Sequence, residues 1–214
     1  VNLAGKRNNG WRAFQFELEC AKKLEFTHII IHPGSATGCE TKNEGIGCLA
    51  RSLNRALSQE KEIKIVLENT AHARMSVGGN LQDFKTLLEL IDEPERIFFC
   101  LDTAHAHSYG YDIVDFARQD IFLQNVEDTL GKNRIALLHI NETSEQCGSH
   151  IDKHVLFGEG IIGNGALRYF INQPLCKQVP IILEIPIVES EDSERLLLEQ
   201  VQEWDKEIKG ENKK

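Results

Sequence analysis

Short apolar runs that are rich in β-branched residues recur along the chain and alternate with segments of helical spacing. Five of these runs predict buried parallel strands because they are apolar throughout; they cover residues 28–31, 63–67, 97–101, 135–138 and 181–183. Apolar positions at helical spacing predict amphipathic helices at 14–24, 46–57, 81–91 and 196–204. The alternation predicts an α/β fold with a parallel sheet, as one domain over residues 1–208 followed by a polar tail at 209–214.

Each predicted strand ends in a residue that can bind a metal ion. These strand-end residues lie 34 to 45 positions apart and are His32, Glu68, Asp102, His139 and Glu184. Strand ends converge on one face of a (β/α)8 TIM barrel, whereas a doubly wound sheet concentrates its site at one switch point. Five convergent residues therefore favour the barrel. At this spacing the chain holds only part of a barrel, so we expect the first two to three of the roughly eight strands to lie upstream of Val1.

Three more metal-competent residues follow these strand ends. Asp102-Thr103-Ala104-His105 places an imidazole just after a strand-end carboxylate, and Asp152-Lys153-His154 directs a carboxylate and an imidazole to one side of an extended loop. Mixed imidazole and carboxylate ligands favour zinc, manganese or iron over magnesium or calcium. Eight candidates exceed the needs of one tetrahedral ion, so we expect two or three ions with a bridging carboxylate. Such clusters suit phosphoester cleavage, since they activate water and neutralise the phosphate and the leaving alkoxide.

Charge, cysteine content and hydropathy add limits to this picture. The formal net charge of −9 argues against a phosphate-binding protein, but three divalent ions would reduce it to about −3. Six cysteines without a CxxC pair predict reduced thiols in the cytoplasm. No apolar stretch approaches the roughly 18 residues of a membrane span, so we expect no membrane partner, and we take a monomer as the default. Neither a P-loop nor a nucleophile elbow is present.

The other histidines and one glycine-rich segment give weaker signals. His28 and His72 are interpreted as structural residues or as neighbours of the site. His107 and His150 lie close enough in sequence to the candidate ligands to contact them or to face DNA. Segment 158–165 contains four glycines and is interpreted as a plain flexible loop.

Taken together, the motifs resemble those of the endonuclease IV family, in the family's order and from the first residues to about Trp204. The motifs are His32-Pro33-Gly34-Ser35, Leu67-Glu68-Asn69-Thr70-Ala71, Leu101-Asp102-Thr103-Ala104-His105 with Gly110-Tyr111-Asp112, His139-Ile140-Asn141, Asp152-Lys153-His154, Gly158-Glu159-Gly160 and Leu183-Glu184. The resemblance implies a TIM barrel that binds three Zn²⁺ ions per full-length chain. It also implies a DNA repair endonuclease that hydrolyses the phosphodiester 5′ to abasic sites in double-stranded DNA, leaving a 3′-hydroxyl.

The resemblance further implies a role for each candidate. His32 would bind the first zinc, and Glu68 would bridge the first and second. The remaining ligands of the second zinc would be Asp102, His139 and Glu184. The ligands of the third zinc would be His105, Asp152 and His154. Glu68 and Glu184 are the predicted catalytic residues.

Two departures from the family pattern leave alternatives open. In the family, a further histidine ligand to the first zinc and the wedge residues that enter the duplex lie upstream of the segment matching Val1, so we expect fewer ions in this chain. His72 stands where the family usually has glycine. A metal-dependent sugar isomerase or epimerase on the same barrel is the main alternative, although it leaves His105, Asp152 and His154 without a role. A non-catalytic fragment that binds damaged DNA is the other alternative.

Overall fold

The computed structural model describes residues 1–7, 9–186 and 190–206. Its five strands are β1 (His28–Ile31), β2 (Lys64–Glu68), β3 (Ile97–Asp102), β4 (Ile135–His139) and β5 (Ile181–Ile182). They form one sheet in the order β1-β2-β3-β4-β5, and every neighbouring pair is parallel. A doubly wound sheet reverses its order at the switch point, whereas consecutive order is that of a (β/α)8 barrel. The predicted strands and the predicted fold class are therefore confirmed.

Helices connect and follow these strands in the described part of the chain. They are α1 (Trp11–Lys23), α2 (Lys42–Gln59), α3 (Leu81–Leu88), α4 (Thr103–Tyr109), α5 (Phe116–Leu130), α6 (Asn164–Ile171) and α7 (Glu191–Lys206). The patterns predicted α1, α2, α3 and α7, but not α4, α5 and α6. The first residues, 1–4, form no strand, although Leu3 and Ala4 are fully buried. The predicted tail at 209–214 lies outside the described residues.

The two faces of the sheet carry different apolar clusters because side chains alternate along a strand. One face packs against the helices in a single large core, to which β2 and β3 contribute Ile65, Leu67, Phe99 and Leu101. Fully buried phenylalanines of the surrounding helices fill this core, among them Phe14, Phe84, Phe122 and Phe170. The opposite face carries a small cluster of Val66, Cys100 and Leu137. Residues of β2, β3 and β4 therefore have apolar neighbours on both faces, which explains their continuous apolar runs. The outer strands β1 and β5 are only partly buried, so the prediction of a buried strand is wrong for these two.

Two further sequence predictions concern the cysteines and membrane-spanning helices. All six cysteines lie within the described residues and are free thiols, as predicted. None of the described helices is both long enough and apolar enough to cross a membrane.

Two arginines at the start of neighbouring strands bind backbone carbonyls of the preceding strand–helix unit. The Arg96 guanidinium, at the end of a short 3-10 turn, donates to Leu57 O at 2.9 Å, to Ile63 O at 2.7 Å and to Glu60 O. Arg134, at the end of the next such turn, donates to Pro94 O and Ile97 O. Both arginines thus supply donors to backbone carbonyls beside the strand starts, and they fix where each strand enters the sheet.

Replacing Arg96 by methionine keeps much of the side-chain volume and leaves three carbonyls without their donor. We expect the variant to lose about 2–4 kcal/mol of unfolding free energy, since bonds to a charged donor are worth more than neutral ones. Denaturant unfolding measures this loss. Arg195→Met is the control, because Arg195 is exposed on α7 and pairs with the surface carboxylates of Asp192 and Glu199, so its expected change is within about 0.5 kcal/mol. Equal losses in both variants would contradict this role of Arg96.

Candidate metal centre

The strand ends bring the five strand-end candidates to one edge of the sheet. Glu68, Asp102 and His139 are the last residues of β2, β3 and β4, and Asp102 lies directly opposite His139 in the register. His32 follows β1, and Glu184 follows β5 by two residues. Parallel neighbouring strands that end together place these side chains within reach of one another, as the sequence predicted.

Four of these residues form a central cluster: Glu68, Asp102, His139 and Glu184. One potential ligand atom from each lies within 4.8 Å of the other three. His139 Nδ1 donates to Glu68 Oε1 at 3.0 Å and lies 3.3 Å from Glu184 Oε2 and 4.0 Å from Asp102 Oδ2. Glu68, Asp102 and His139 are almost fully buried. One imidazole and three carboxylates are a donor set that fits a zinc-like divalent cation.

An outer cluster brings His105, His154 and Asp152 together. Asp152 Oδ1 lies 3.1 Å from His105 Nε2 and 3.6 Å from His154 Nε2, and Asp102 Oδ2 lies 3.8 Å from His154 Nε2. Both Nε2 atoms are buried and have no hydrogen-bond partner of adequate geometry. Buried polar nitrogens left without a partner, beside two carboxylates, fit a bound cation.

The orientation of both imidazoles in the outer cluster supports this fit. His105 Nδ1 lies 2.9 Å from Asn69 O, and His154 Nδ1 lies 2.9 Å from Glu184 O. Because a carbonyl oxygen only accepts, each Nδ1 carries a proton, which leaves Nε2 as the ring nitrogen that can bind a metal ion. A histidine that donates its other ring N–H to a backbone carbonyl is the usual arrangement of a metal ligand.

The inner group of His32, Glu68 and His105 is less complete. One potential ligand atom from each residue lies within 4.8 Å of the other two, and His32 Nε2 is 3.3 Å from Glu68 Oε2. His105, however, already donates Nδ1–H to a carbonyl, and its Nε2 lies next to Asp152. His32 and Glu68 are therefore the two residues whose side chains remain available to an ion in this inner group.

The electrostatics of the cluster favour positive charge. Burial would raise the pKa of Glu68, but hydrogen bonds with His105, His139 and His32 outweigh burial and hold that pKa far below its usual range. Burial would lower the pKa of His105, but the Asp102 charge and the contacts with Asp152 and Glu68 raise it to about 11. Burial opposes protonation of His139 as well, yet its contacts with Cys100, Glu184 and Glu68 raise its pKa to about 12. The carboxylates thus stabilise cationic charge here, whether on imidazoles or on metal ions.

Sequence reasoning missed the residues that orient the candidate ligands. Asn69 Oδ1 accepts from Asp102 N at 2.7 Å, and Asn69 Nδ2 donates to Asp102 O at 3.1 Å. Asn141 Nδ2 donates to Asp102 Oδ2 at 2.5 Å, and Asn141 Oδ1 accepts from Glu184 N at 2.8 Å. Thr103 Oγ1 donates to Asn141 O at 2.7 Å. These three residues are buried, and each follows a strand-end candidate by one or two positions. That spacing is the sequence feature that could have pointed to them.

The glycine-rich segment 158–165 is ordered around a buried carboxylate. Glu142, which is fully buried, accepts from Ile162 N at 2.9 Å and from Gly163 N at 2.7 Å. A Cβ on Gly160 would lie 2.5 Å from Glu142 Cγ, so this position requires glycine. The segment is thus a turn docked on Glu142 rather than the plain flexible loop expected from the sequence, and its last two residues begin α6.

The remaining histidines occupy different places. His28 begins β1, at the opposite end of the sheet from the candidate ligands, and its Nδ1 lies 2.8 Å from Thr27 Oγ1, which agrees with a structural role. His107 is 2% exposed and accepts from Ile113 N at 3.2 Å, so the idea that it faces DNA is wrong. Burial lowers the pKa of His107. His72 and His150 are exposed and lie in loops that contact each other.

Known proteins are similar to this chain in fold and in sequence. The family described as xylose isomerase-like TIM barrel matches residues 2–208, and this is the class that the fold and the strand-end cluster define. A probable endonuclease 4 from Thermosipho melanesiensis is 31% identical over 190 residues, which are 87% of this chain and 67% of that protein. Apurinic-apyrimidinic endonuclease 1 from Plasmodium berghei is 28% identical over 197 residues, which are 90% of this chain and 39% of that protein.

A solved structure adds to these sequence matches. The crystal structure of endonuclease IV from Thermus thermophilus matches with a TM-score of 0.75 at 26% identity, covering 90% of this chain and 68% of that one. The chain therefore belongs to the endonuclease IV family of nucleases, and the resemblance seen in the motifs is confirmed. The chain spans about two thirds of the length of the bacterial relative and much less of the Plasmodium one.

Replacing Asn141 by alanine removes a donor to Asp102 and an acceptor for Glu184 N. If the central cluster binds zinc, we expect the affinity of that site to fall by about 10–100-fold, as is typical when a residue that orients metal ligands is lost. Competition with a chromogenic chelator measures the affinity. Asn54→Ala is the matched control, because the Asn54 amide also bridges two groups, the backbone Leu90 O and Asp92 N, but lies on α2. Equal zinc affinities in the two variants would show that Asn141 does not position the ligands.

Proposed function

We propose that this chain is the catalytic part of a DNA repair endonuclease that hydrolyses the phosphodiester 5′ to abasic sites in double-stranded DNA. Membership of the endonuclease IV family supports a nuclease, and the name of the Plasmodium relative supports abasic sites. The observation that carries the proposal is the outer cluster, where two buried imidazole nitrogens without hydrogen-bond partners lie beside Asp152. This cluster adds a further cation site to the central one.

We assign the metal ions as zinc and the site as trinuclear when complete. The proposed ligands of the central ion are Glu68, Asp102, His139 and Glu184. The proposed ligands of the outer ion are His105, Asp152 and His154. His32 and Glu68 would bind the inner ion together with a further ligand that is not among these eight candidates. When bound, zinc ions lower the pKa of water and neutralise charge on the phosphate and the leaving oxygen.

Glu68 has the geometry of a bridging carboxylate. Its Oε1 accepts from His139 Nδ1 at 3.0 Å and lies 3.3 Å from His105 Nδ1, while Oε2 lies 3.3 Å from His32 Nε2. The two oxygens thus face two different groups of candidate ligands. Because the pKa of Glu68 is held far below its usual range, the side chain is ionised at neutral pH and would bind a cation rather than donate a proton.

Glu184 lies on the accessible side of the centre. Its side chain is 45% exposed, against 5% for Glu68, so it borders the surface from which a substrate would approach. Contact with His139 lowers the pKa of Glu184. An ionised Glu184 accepts hydrogen bonds and binds cations, and it excludes a competing anion from that side of the site unless a cation is bound. This position supports the predicted catalytic role.

The two alternatives explain the geometry less well. A sugar isomerase or epimerase of the same barrel class uses one or two ions, so His105, His154 and Asp152 would have no role there. A fragment that only binds damaged DNA would not need a buried central cluster in which three carboxylates surround His139. We also propose a monomer in the cytoplasm; the six free thiols agree with a reducing compartment.

Replacing Glu68 by glutamine keeps its shape but removes the charge that would join two ions. We expect incision of a duplex with one abasic site to fall by at least about 100-fold, together with a loss of bound zinc. Denaturing gels measure incision, and elemental analysis measures zinc per chain. Glu89→Gln, at the exposed C-terminal end of α3, is the matched control and should incise as the parent does. Parental incision by the Glu68→Gln variant would exclude the proposed role of Glu68.

Removal of metal should destabilise the protein. If a zinc site is held at roughly a thousand times its dissociation constant, its loss costs about 4 kcal/mol, or about 8–16 °C in Tm for a domain of this size. Thermal melts with and without a chelator measure the shift, and added Zn²⁺ should restore the parental Tm while Mg²⁺ should not. Melting curves unchanged by the chelator would contradict a zinc centre within the core of the fold.

A further inference from the structure

Two exposed histidines join the loop after β2 to the loop after β4. His72 Nδ1 lies 3.1 Å from His150 O, and His150 Nδ1 lies 3.4 Å from Ala71 O. Since carbonyl oxygens only accept, both Nδ1 atoms carry protons, and each histidine donates to the loop of the other. We call this reciprocal pair, His72 and His150, the histidine clip.

Contacts with α4 also hold the turn that contains His150. His150 N donates to Ser108 O at 2.8 Å, and Gly148 N donates to His107 O at 3.1 Å. The His150 ring also packs edge-on against Tyr109, with ring centroids 5.6 Å apart. The carbonyls at the end of α4 and the clip therefore fix this turn from two directions. The same short helix carries His105, so the turn is docked on the element that positions an outer-cluster imidazole.

The backbone at the clip is strained, which indicates that these contacts determine its conformation. His150 has φ +60°, and Arg74, two residues after His72, also has φ +60°. A non-glycine residue in this region costs on the order of 1 kcal/mol and persists where surrounding contacts impose it. Loss of the clip removes part of that support, so the turn would relax toward ordinary backbone angles.

The histidine clip restricts the position of Asp152, which lies two residues after His150. Asp152 lies on an exposed loop outside helices and strands, and its Oδ1 is within 3.1 Å of His105 Nε2. Two extended residues span at most about 7 Å, so anchoring His150 confines Asp152 to the neighbourhood of the outer cluster. His154, in contrast, is held by its own bond to Glu184 O.

We propose that the histidine clip is a positioning device for Asp152 and thereby sets the metal affinity of the outer cluster. The inference rests on the proposed function in one respect, that a metal ion binds between His105, Asp152 and His154. The clip histidines do not bind the ion. They act through the backbone of the loop, and their Nδ1 atoms are occupied by the two carbonyls.

The test compares His72→Ala with His72→Asn, since the asparagine amide can donate to His150 O in place of Nδ1–H. Zinc titration against a chelator should show one site weakened about 10–100-fold in His72→Ala and the others unchanged, with His72→Asn within about threefold of the parent. Hydrogen exchange should quicken at Gly148 N and His150 N in His72→Ala alone. His28→Ala, at the far end of the sheet, is the histidine control and should bind zinc as the parent does.

The outcomes separate this inference from the proposed function. Parental zinc affinities and exchange rates in His72→Ala, with abasic-site incision intact, would overturn the clip and leave the nuclease standing. One weakened site restored by His72→Asn, in a protein that incises no abasic duplex, would support the clip and overturn the nuclease. A weakened site that His72→Asn fails to restore would assign the effect to the ring itself and overturn positioning through the loop. A parent that binds no zinc would overturn both.

Discussion

The structure depends on a concentration of buried negative charge at the ends of its strands. Glu68 and Asp102 are 3% and 0% exposed, and the carboxylates of Asp152 and Glu184 reach the same place. An uncompensated buried charge costs several kcal/mol; burial therefore raises the pKa of Asp102 and favours cations beside these carboxylates. In the protein alone, protonated imidazoles supply that charge, and the pKa values of His105 and His139 rise accordingly. Metal ions would supply it more strongly and would release those protons.

The regular backbone of the barrel makes this concentration possible. Asp102 illustrates how many constraints act on one residue. It ends β3, its Oδ1 caps α4 by accepting from His105 N at 2.7 Å, and its Oδ2 accepts from Asn141. Each oxygen is directed before any ion binds, and a preorganised ligand set binds metal with less loss of conformational entropy. The same helix cap places His105 over the outer cluster, so the two clusters share one structural support.

The strands and the candidate ligands could be predicted because buried parallel strands are apolar throughout and each ends in a residue that can bind metal. Helices α4 and α6 could not, because α4 is short and rich in histidine and α6 begins inside a glycine-rich segment. The positions of Asn69 and Asn141 beside strand-end candidates mark them as neighbours of the site, but their roles depend on partners more than 30 positions away, which sequence spacing does not show. Sequence spacing also left the environment of His107 open, since burial is decided by how α4 packs.

The central claim is that the buried carboxylate cluster is a multinuclear zinc centre. Anomalous diffraction from crystals grown with zinc, recorded on both sides of the zinc absorption edge, tests it most directly. We expect one peak about 2.0–2.2 Å from donor atoms of Glu68, Asp102, His139 and Glu184, and another at the same range from His105, Asp152 and His154. A single peak, or peaks bound away from both clusters, would contradict it.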